Sequence, residues 1–330
     1  MGLNNSVFSY LLLCMENNTL NAPVKRRNQW EMERLFSSNG PIYHVCSKPL
    51  VDALLFYEAE DKKAALSFLA VTNAELDARL LAYSLMSNHF HILIGCRNPA
   101  FYYELLVQKL ELYLSRHGHP GIRLPKEPTI VPIQSLKQFR DTLAYIIRNE
   151  YVINPNNNPL SCLWCSGFLY FNDMLAPILS SLKTARAGDA SSFVLRKITR
   201  SRDYKLPGAA LIWNDIVLPS SFVDFKFAES MFEDARQFTV HVFKNVEALV
   251  EVAISIGETP ITPDEELSRI IFAHCKRTWD KRPDELSRTQ LIELVKHIKY
   301  TYRSSNAQVA RLTGMSPKEV DILFPLGAKR

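Results

Sequence analysis

The stretch Ser84-Leu-Met-Ser-Asn-His-Phe-His-Ile-Leu-Ile-Gly95 sets two histidines one residue apart inside a run that otherwise reads as a buried strand. Side chains on a strand alternate faces, so His89 and His91 share one face, about 7 Å apart along the chain, while Phe90, Ile92 and Ile94 point the other way into a core. The result is a two-imidazole platform on a rigid floor. Neutral imidazoles suit first-row divalent metals, and a strand holds its ligands more steadily than a loop. The plainer reading is a pair of polar residues on the wet face of an ordinary antiparallel strand.

The neighbouring segments show what this strand packs against. Ile42-Tyr-His-Val-Cys-Ser47 has strand character, and Asp61 to Leu69 predicts a helix with apolar spacing at Ala64, Ala65, Phe68 and Leu69. Leu80 to Met86 predicts a strand that pairs with His89 to Gly95 across the tight Ser87-Asn88 connection. Strand, helix and hairpin make an α+β fold, an antiparallel sheet with helices on one face. Phe101 to His117 is amphipathic, with Tyr102, Leu105, Leu106, Leu110 and Leu114 on the side that packs on the sheet. Residues 118–134 carry four prolines with Gly118 and Gly121 and read as a loop. On it, Arg123 and Lys126 could touch phosphate or simply be solvated.

Ser135 is the expected N-cap of a helix from Leu136 to about Tyr151. Leu136, Phe139, Leu143, Ile146 and Ile147 form its apolar stripe. Gln138, Asp141, Tyr145, Arg148 and Asn149 fall on the other side at spacings of three and four, so Asn149 lies one turn below Tyr145 and Arg148 is a candidate DNA contact on that face. A tyrosine on an exposed helix face is usually inert.

Taken together these segments resemble a known family. Met86-Ser-Asn-His-Phe-His-Ile-Leu-Ile94 is similar to the His-hydrophobic-His (HUH) motif of the single-tyrosine transposases, particularly the branch of REP-associated tyrosine transposases. Tyr145-Ile-Ile-Arg-Asn149 resembles their Tyr-Ile-x-x-Asn-Pro segment, with Glu150 where the family often has proline, just as Ser87 replaces a frequent proline before the first motif. Leu163-Trp-Cys-Ser-Gly167 sits where the family often shows Trp-Ser-Ser. The resemblance covers about residues 41–170 and rests on the combination of motifs. It implies that Tyr145 is the nucleophile and that His89, His91 and Asn149 hold a divalent metal, Mg²⁺ or Mn²⁺. It also implies single-stranded DNA beside a hairpin as substrate, a covalent 5′-phosphotyrosine as intermediate, and a homodimer as the working form. A DNA-binding regulator that kept the scaffold and lost the chemistry is the alternative. A plain metal-binding or structural domain with an appended interaction module is the third reading.

Beyond this region the chain is long for one small core: 330 residues suggest two or three units. The expected division is an N-terminal extension at 1–40, the transposase-like domain at 41–175, a basic connecting and helical region at 176–262, and a helix-turn-helix domain at 263–330. From Ser181 to Pro207 seven basic residues (Lys183, Arg186, Arg196, Lys197, Arg200, Arg202, Lys205) face only Asp189 and Asp203. Lysine and arginine that neutralise phosphates release counterions and give salt-dependent affinity; a solvated helix face or linker would look the same. Phe225 to Phe238 and Val242 to Ile256 could each be a helix.

In the C-terminal segment, Leu291 to Tyr302 and Ser305 to Thr313 have helical spacing, and Ser316-Pro-Lys-Glu319 has the form of a capping box after Gly314. Val309, Met315, Val320 and Leu323 supply a shared core for a helix-turn-helix. Ten Lys or Arg against five Asp or Glu from Lys281 to Arg330 suit duplex DNA, with Lys318 and Asp321 as candidate contacts. A three-helix protein-binding module would show the same pattern. The net charge of +5 adds little to the case for an acidic partner.

The six cysteines show no disulfide-framework spacing, which favours a reducing compartment and hence the cytoplasm. Cys162-Leu-Trp-Cys165 is half of a zinc-ribbon spacing with no second half, and the apolar run Val7 to Met15 is too short to span a bilayer.

Overall fold

The computed structural model describes residues 28–50, 53–153, 158–200, 205–243, 262, 264–302, 304 and 306–325. Its centre is an antiparallel sheet of four strands: β1 (Ile42–Cys46), β2 (Arg79–Leu85), β3 (Phe90–Gly95) and β4 (Thr129–Pro132), in the order β2-β3-β1-β4. The hairpin across Ser87-Asn88 pairs Leu85 with Phe90 and Ser84 with His91. On the other side of β3, β1 pairs Cys46 with His91 and Ile42 with Gly95.

β4 corrects the expectation of a loop over 118–134. It has four residues and lies at the sheet edge against β1, where Pro132 can sit without breaking an inner ladder. So short a strand, flanked by proline, leaves no alternating pattern to read.

Helices pack against both faces, one more layer than the single helical face expected. α2 (Ala59–Leu76) and α3 (Pro99–Arg116) cover the side carrying Val45, Tyr83, Phe90, Ile92 and Ile94. α4 (Leu136–Ile153) covers the side carrying Ile42, Leu81, Ala82 and Leu93. The histidine-bearing face is apolar at one end, and those side chains need cover as much as the others do. Ser135 caps α4 as expected, its Oγ accepting from Gln138 N at 3.1 Å. Phe139, Leu143, Ile146 and Ile147 of α4 are each 0% exposed, and burial of side chains of this size contributes about 1.5–3 kcal/mol apiece.

A further layer lies outside α4. Met32 of α1 (Gln29–Ser37) and Phe232 and Phe238 belong to the same apolar cluster. The helix expected from Phe225 to Phe238 is two helices, α7 (Phe225–Ser230) and α8 (Ala235–Val242). It breaks because Asp234 turns to cap α8, accepting from Gln237 N at 2.8 Å. Beyond residue 243, the expected helix from Val242 to Ile256 lies outside the described residues.

The described parts of the basic segment, 181–200 and 205–207, belong to a folded layer. β5 (Ala185–Arg186), β6 (Leu211–Trp213) and β7 (Ile216–Val217) form a small second sheet. With α6 (Ser192–Thr199) they bury Leu195, Ile198, Ile212 and Val217 around Ala70 of α2. Asp224 N donates to Leu80 O at 2.8 Å, tying the following chain to β2.

α9 (Asp264–Trp279), α10 (Arg288–Thr301), α11 (Asn306–Thr313) and α12 (Pro317–Leu323) form a helical unit with its own core, including Leu267, Leu294, Val309, Met315 and Val320. Gly314 takes φ +70 between α11 and α12, a left-handed conformation that glycine adopts without a Cβ penalty. The Ser316–Glu319 capping box is present. Among the described residues, no helix is long and apolar enough to cross a membrane.

Candidate metal and tyrosine site

The pleat fixes the site. Cys46 stands opposite His91 across the β1–β3 pair, and His44 lies two residues before Cys46 on the same face of β1. His89, immediately before β3, falls on that face as well. Ligand atoms of Cys46, His89 and His91 all lie within 4.8 Å of one another, and the three residues are buried. The rings of His89 and His91 meet edge to face at 4.7 Å. His44 Nε2 is 3.2 Å from His91 Nδ1, and Asn88 Oδ1 is 2.8 Å from His89 Nδ1.

α4 lays Tyr145 over this group, its ring 5.7 Å from that of His91 and nearly perpendicular to it. The face carrying Tyr145 is not open to water, contrary to the expectation of an exposed helix face. Asp141, Tyr145, Arg148 and Asn149 are only 7%, 7%, 6% and 2% exposed. The sheet covers one side of α4 and α8 packs on it from outside; Arg140 Nε also donates to Met231 O, just after α7, at 2.6 Å. Asn149, one turn below Tyr145, has its amide nitrogen buried with no hydrogen-bond partner among the described residues.

The segment Leu163 to Gly167 joins the tyrosine helix to β2. Leu85 N donates to Trp164 O at 2.8 Å, and Tyr83 N donates to Ser166 Oγ at 3.1 Å. A Cβ at Gly167 would overlap Pro159 O and lie 2.7 Å from Ile147 Cγ2 of α4. Two neighbouring tyrosines have structural work instead: Tyr83 Oη donates to Leu163 O at 2.8 Å and Tyr170 Oη to Leu81 O at 2.5 Å. Burial raises the pKa of both phenols well above the usual tyrosine range, so they remain protonated donors.

The expected DNA contacts are scattered. Arg123 and Lys126 are exposed, with Arg123 Nη1 donating to Ile122 O at 2.7 Å. Arg148 is buried, three residues beyond Tyr145 on α4. On α6, Arg196 is exposed and Lys197 pairs with Asp215 at 3.0 Å; just after it, Arg200 packs over Tyr113 and approaches Glu60 at 3.4 Å. Arg202 lies outside the described residues. In the C-terminal unit Lys318 is exposed, whereas Asp321 Oδ1 accepts from Asn306 Nδ2 at 2.9 Å and so holds α12 to α11.

Two members of the site, His44 and Cys46, have no counterpart among the residues singled out by motif. Their alternation on β1 is visible, but the pairing of β1 with β3 that brings them to His91 is not. Comparison with protein-family models, curated proteins and solved structures returns no significant match.

Proposed function

We propose that the chain is a metal-dependent, single-tyrosine DNA nuclease and strand transferase of transposase type. The observation that carries this reading is the seating of Tyr145 against His91, with Arg148 and Asn149 one turn further along the same helix. Imidazole and phenol meet here, with guanidinium and amide one turn along the same buried helix, and the first three have parts in phosphoryl transfer.

In the proposed reaction the Tyr145 oxygen attacks the scissile phosphorus in line, losing its proton as the bond forms. The 3′-oxygen leaves and takes up a proton, and the 5′-phosphate stays on the tyrosine. Attack by another 3′-hydroxyl reverses the step and joins strands without an external energy source. Arg148 supplies positive charge for the phosphoryl oxygens. The nitrogen and sulfur donors fit a divalent ion, which when bound at the histidines supplies Lewis-acid polarisation of the phosphate. The substrate is single-stranded DNA beside a hairpin, with duplex contacts from Lys318 and the C-terminal unit.

Burial favours a second reading. His91 is 0%, Cys46 1% and His89 5% exposed, so a phosphate reaches them only after a covering segment moves. A regulator that binds DNA and keeps the metal group for its structure needs no such movement.

The test incubates the purified protein, and Tyr145→Phe, with hairpin-bearing single-stranded DNA and Mg²⁺, Mn²⁺ or Zn²⁺, followed by a denaturing gel. A covalent protein–DNA band that needs metal and disappears in Tyr145→Phe is the expected result. Binding without a band across a broad hairpin panel moves the assignment to the regulator, and no DNA binding sinks both.

A further inference from the structure

We propose that Cys46 is a metal ligand, its thiolate joining His89 and His91 in a Cys-His-His centre for a thiophilic divalent ion of the Zn²⁺ class. The inference concerns the metal alone and stands or falls independently of the DNA chemistry.

The register of the sheet carries it. Cys46 is the residue paired with His91, so its sulfur rises from the floor beside the imidazole, and His89 comes up next to them. Zinc sits about 2.3 Å from sulfur and about 2.0–2.1 Å from nitrogen, which puts tetrahedral ligand atoms roughly 3.3–3.8 Å apart. Three donors already within 4.8 Å of one another need only small rotations to meet that geometry.

The outer partners bear on the tautomers. A carbonyl oxygen can only accept, so Asn88 Oδ1 at 2.8 Å places the His89 proton on Nδ1 and makes Nε2 the basic nitrogen of that ring. His44 Nε2, 3.2 Å from His91 Nδ1, can do the same for His91. On coordination the Cys46 thiol releases its proton to solvent, and no redox change is involved.

The donor set also selects the metal. Mg²⁺ takes oxygen ligands and keeps several waters, whereas thiolate and imidazole together suit zinc. A site whose residues are 0–5% exposed has little access for a retained hydration shell. Three protein ligands among the described residues leave a fourth position for another donor.

The experiment is zinc analysis of the full-length wild-type protein after gel filtration, followed by X-ray absorption at the zinc edge. Expected is one zinc per chain with one sulfur at about 2.3 Å and nitrogens at about 2.0–2.1 Å. Cys46→Ser should lose the sulfur shell and weaken zinc, in competition with a chromophoric chelator, by more than the about 10-fold that even an outer partner is worth. No retained zinc, or a shell of nitrogen and oxygen alone, overturns the proposal. So does a two-sulfur shell that vanishes in Cys162→Ser, which would place the ion on Cys162 and Cys165. The wild-type spectrum decides the matter even if Cys46→Ser fails to fold. An adduct without a sulfur shell sinks only the Cys46 assignment, and a sulfur shell without an adduct sinks only the nuclease.

Discussion

His44 Nε2 lies 3.2 Å from His91 Nδ1 across the β1–β3 pair, with the two rings near-parallel at 16°. Both residues are 0% exposed, so neither can turn to water for a partner. With His44 accepting, the His91 proton sits on Nδ1 and the ring is held in place. His44→Phe keeps an aromatic ring, a somewhat larger one, and removes the acceptor. Metal affinity should fall about 10–100-fold, the usual effect of losing an outer partner. Equal affinity in a competition titration would show that His44 does not orient His91.

Tyr145→Phe separates chemistry from folding. The aromatic ring, which packs against His91 and in the α4 cluster, is kept, and only the hydroxyl goes. Thermal stability should stay within about 1 kcal/mol of wild type, the net worth of a typical hydrogen bond. Covalent adduct should disappear altogether. An adduct of undiminished yield in the variant would move the nucleophile elsewhere.

Gly167→Ala probes how firmly the tyrosine helix is set. The new methyl meets Pro159 O and lies 2.7 Å from Ile147 Cγ2, and a backbone carbonyl cannot swing aside as a flexible side chain can. Overpacking of this kind costs about 1–3 kcal/mol or more. A clear drop in the urea midpoint is expected, with weaker metal binding if α4 shifts relative to β3. An unchanged midpoint would mean that the loop before Gly167 moves freely.

Most of the central sheet is readable from the sequence because its elements are long and periodic. The hairpin around Ser87-Asn88, the strand at Ile42 and the amphipathic helices at 99–116 and 136–153 all follow from alternation or helical spacing. What is not readable depends on which strands meet. Cys46 and His44 join the histidine pair only because β1 sits beside β3, a contact between segments more than forty residues apart. The burial of Tyr145 and Arg148 is hidden for a similar reason. Polar residues at one face of a helix predict water, and only the packing of the sheet and α8 against α4 makes them interior. β4 and the small β5–β7 sheet are too short to leave any pattern.

The C-terminal unit should carry its own acid sensitivity. His274 of α9 stacks on His297 of α10 with ring centroids 4.2 Å apart, and Trp279 closes on it edge to face. Burial, followed by the charges of His297 and Arg277, lowers the His274 pKa below the ordinary value of 6.5, against a smaller opposing effect of Glu293. Below 6.5 the unfolded chain therefore binds more protons at this position than the folded one, and stability rises with pH across that window. The contribution is complete above 6.5 and is lost as the pH falls from there through the lowered folded value. His274→Gln removes the titration. Urea melts of wild type and variant at pH 8, 7, 6 and 5 should therefore show wild type losing more stability than the variant on the acid side, with parallel behaviour at the alkaline end. His297→Gln should flatten the wild-type slope only in part, because burial is the larger cause. Identical acid slopes in wild type and His274→Gln would mean that His274 titrates alike in the folded and unfolded chains.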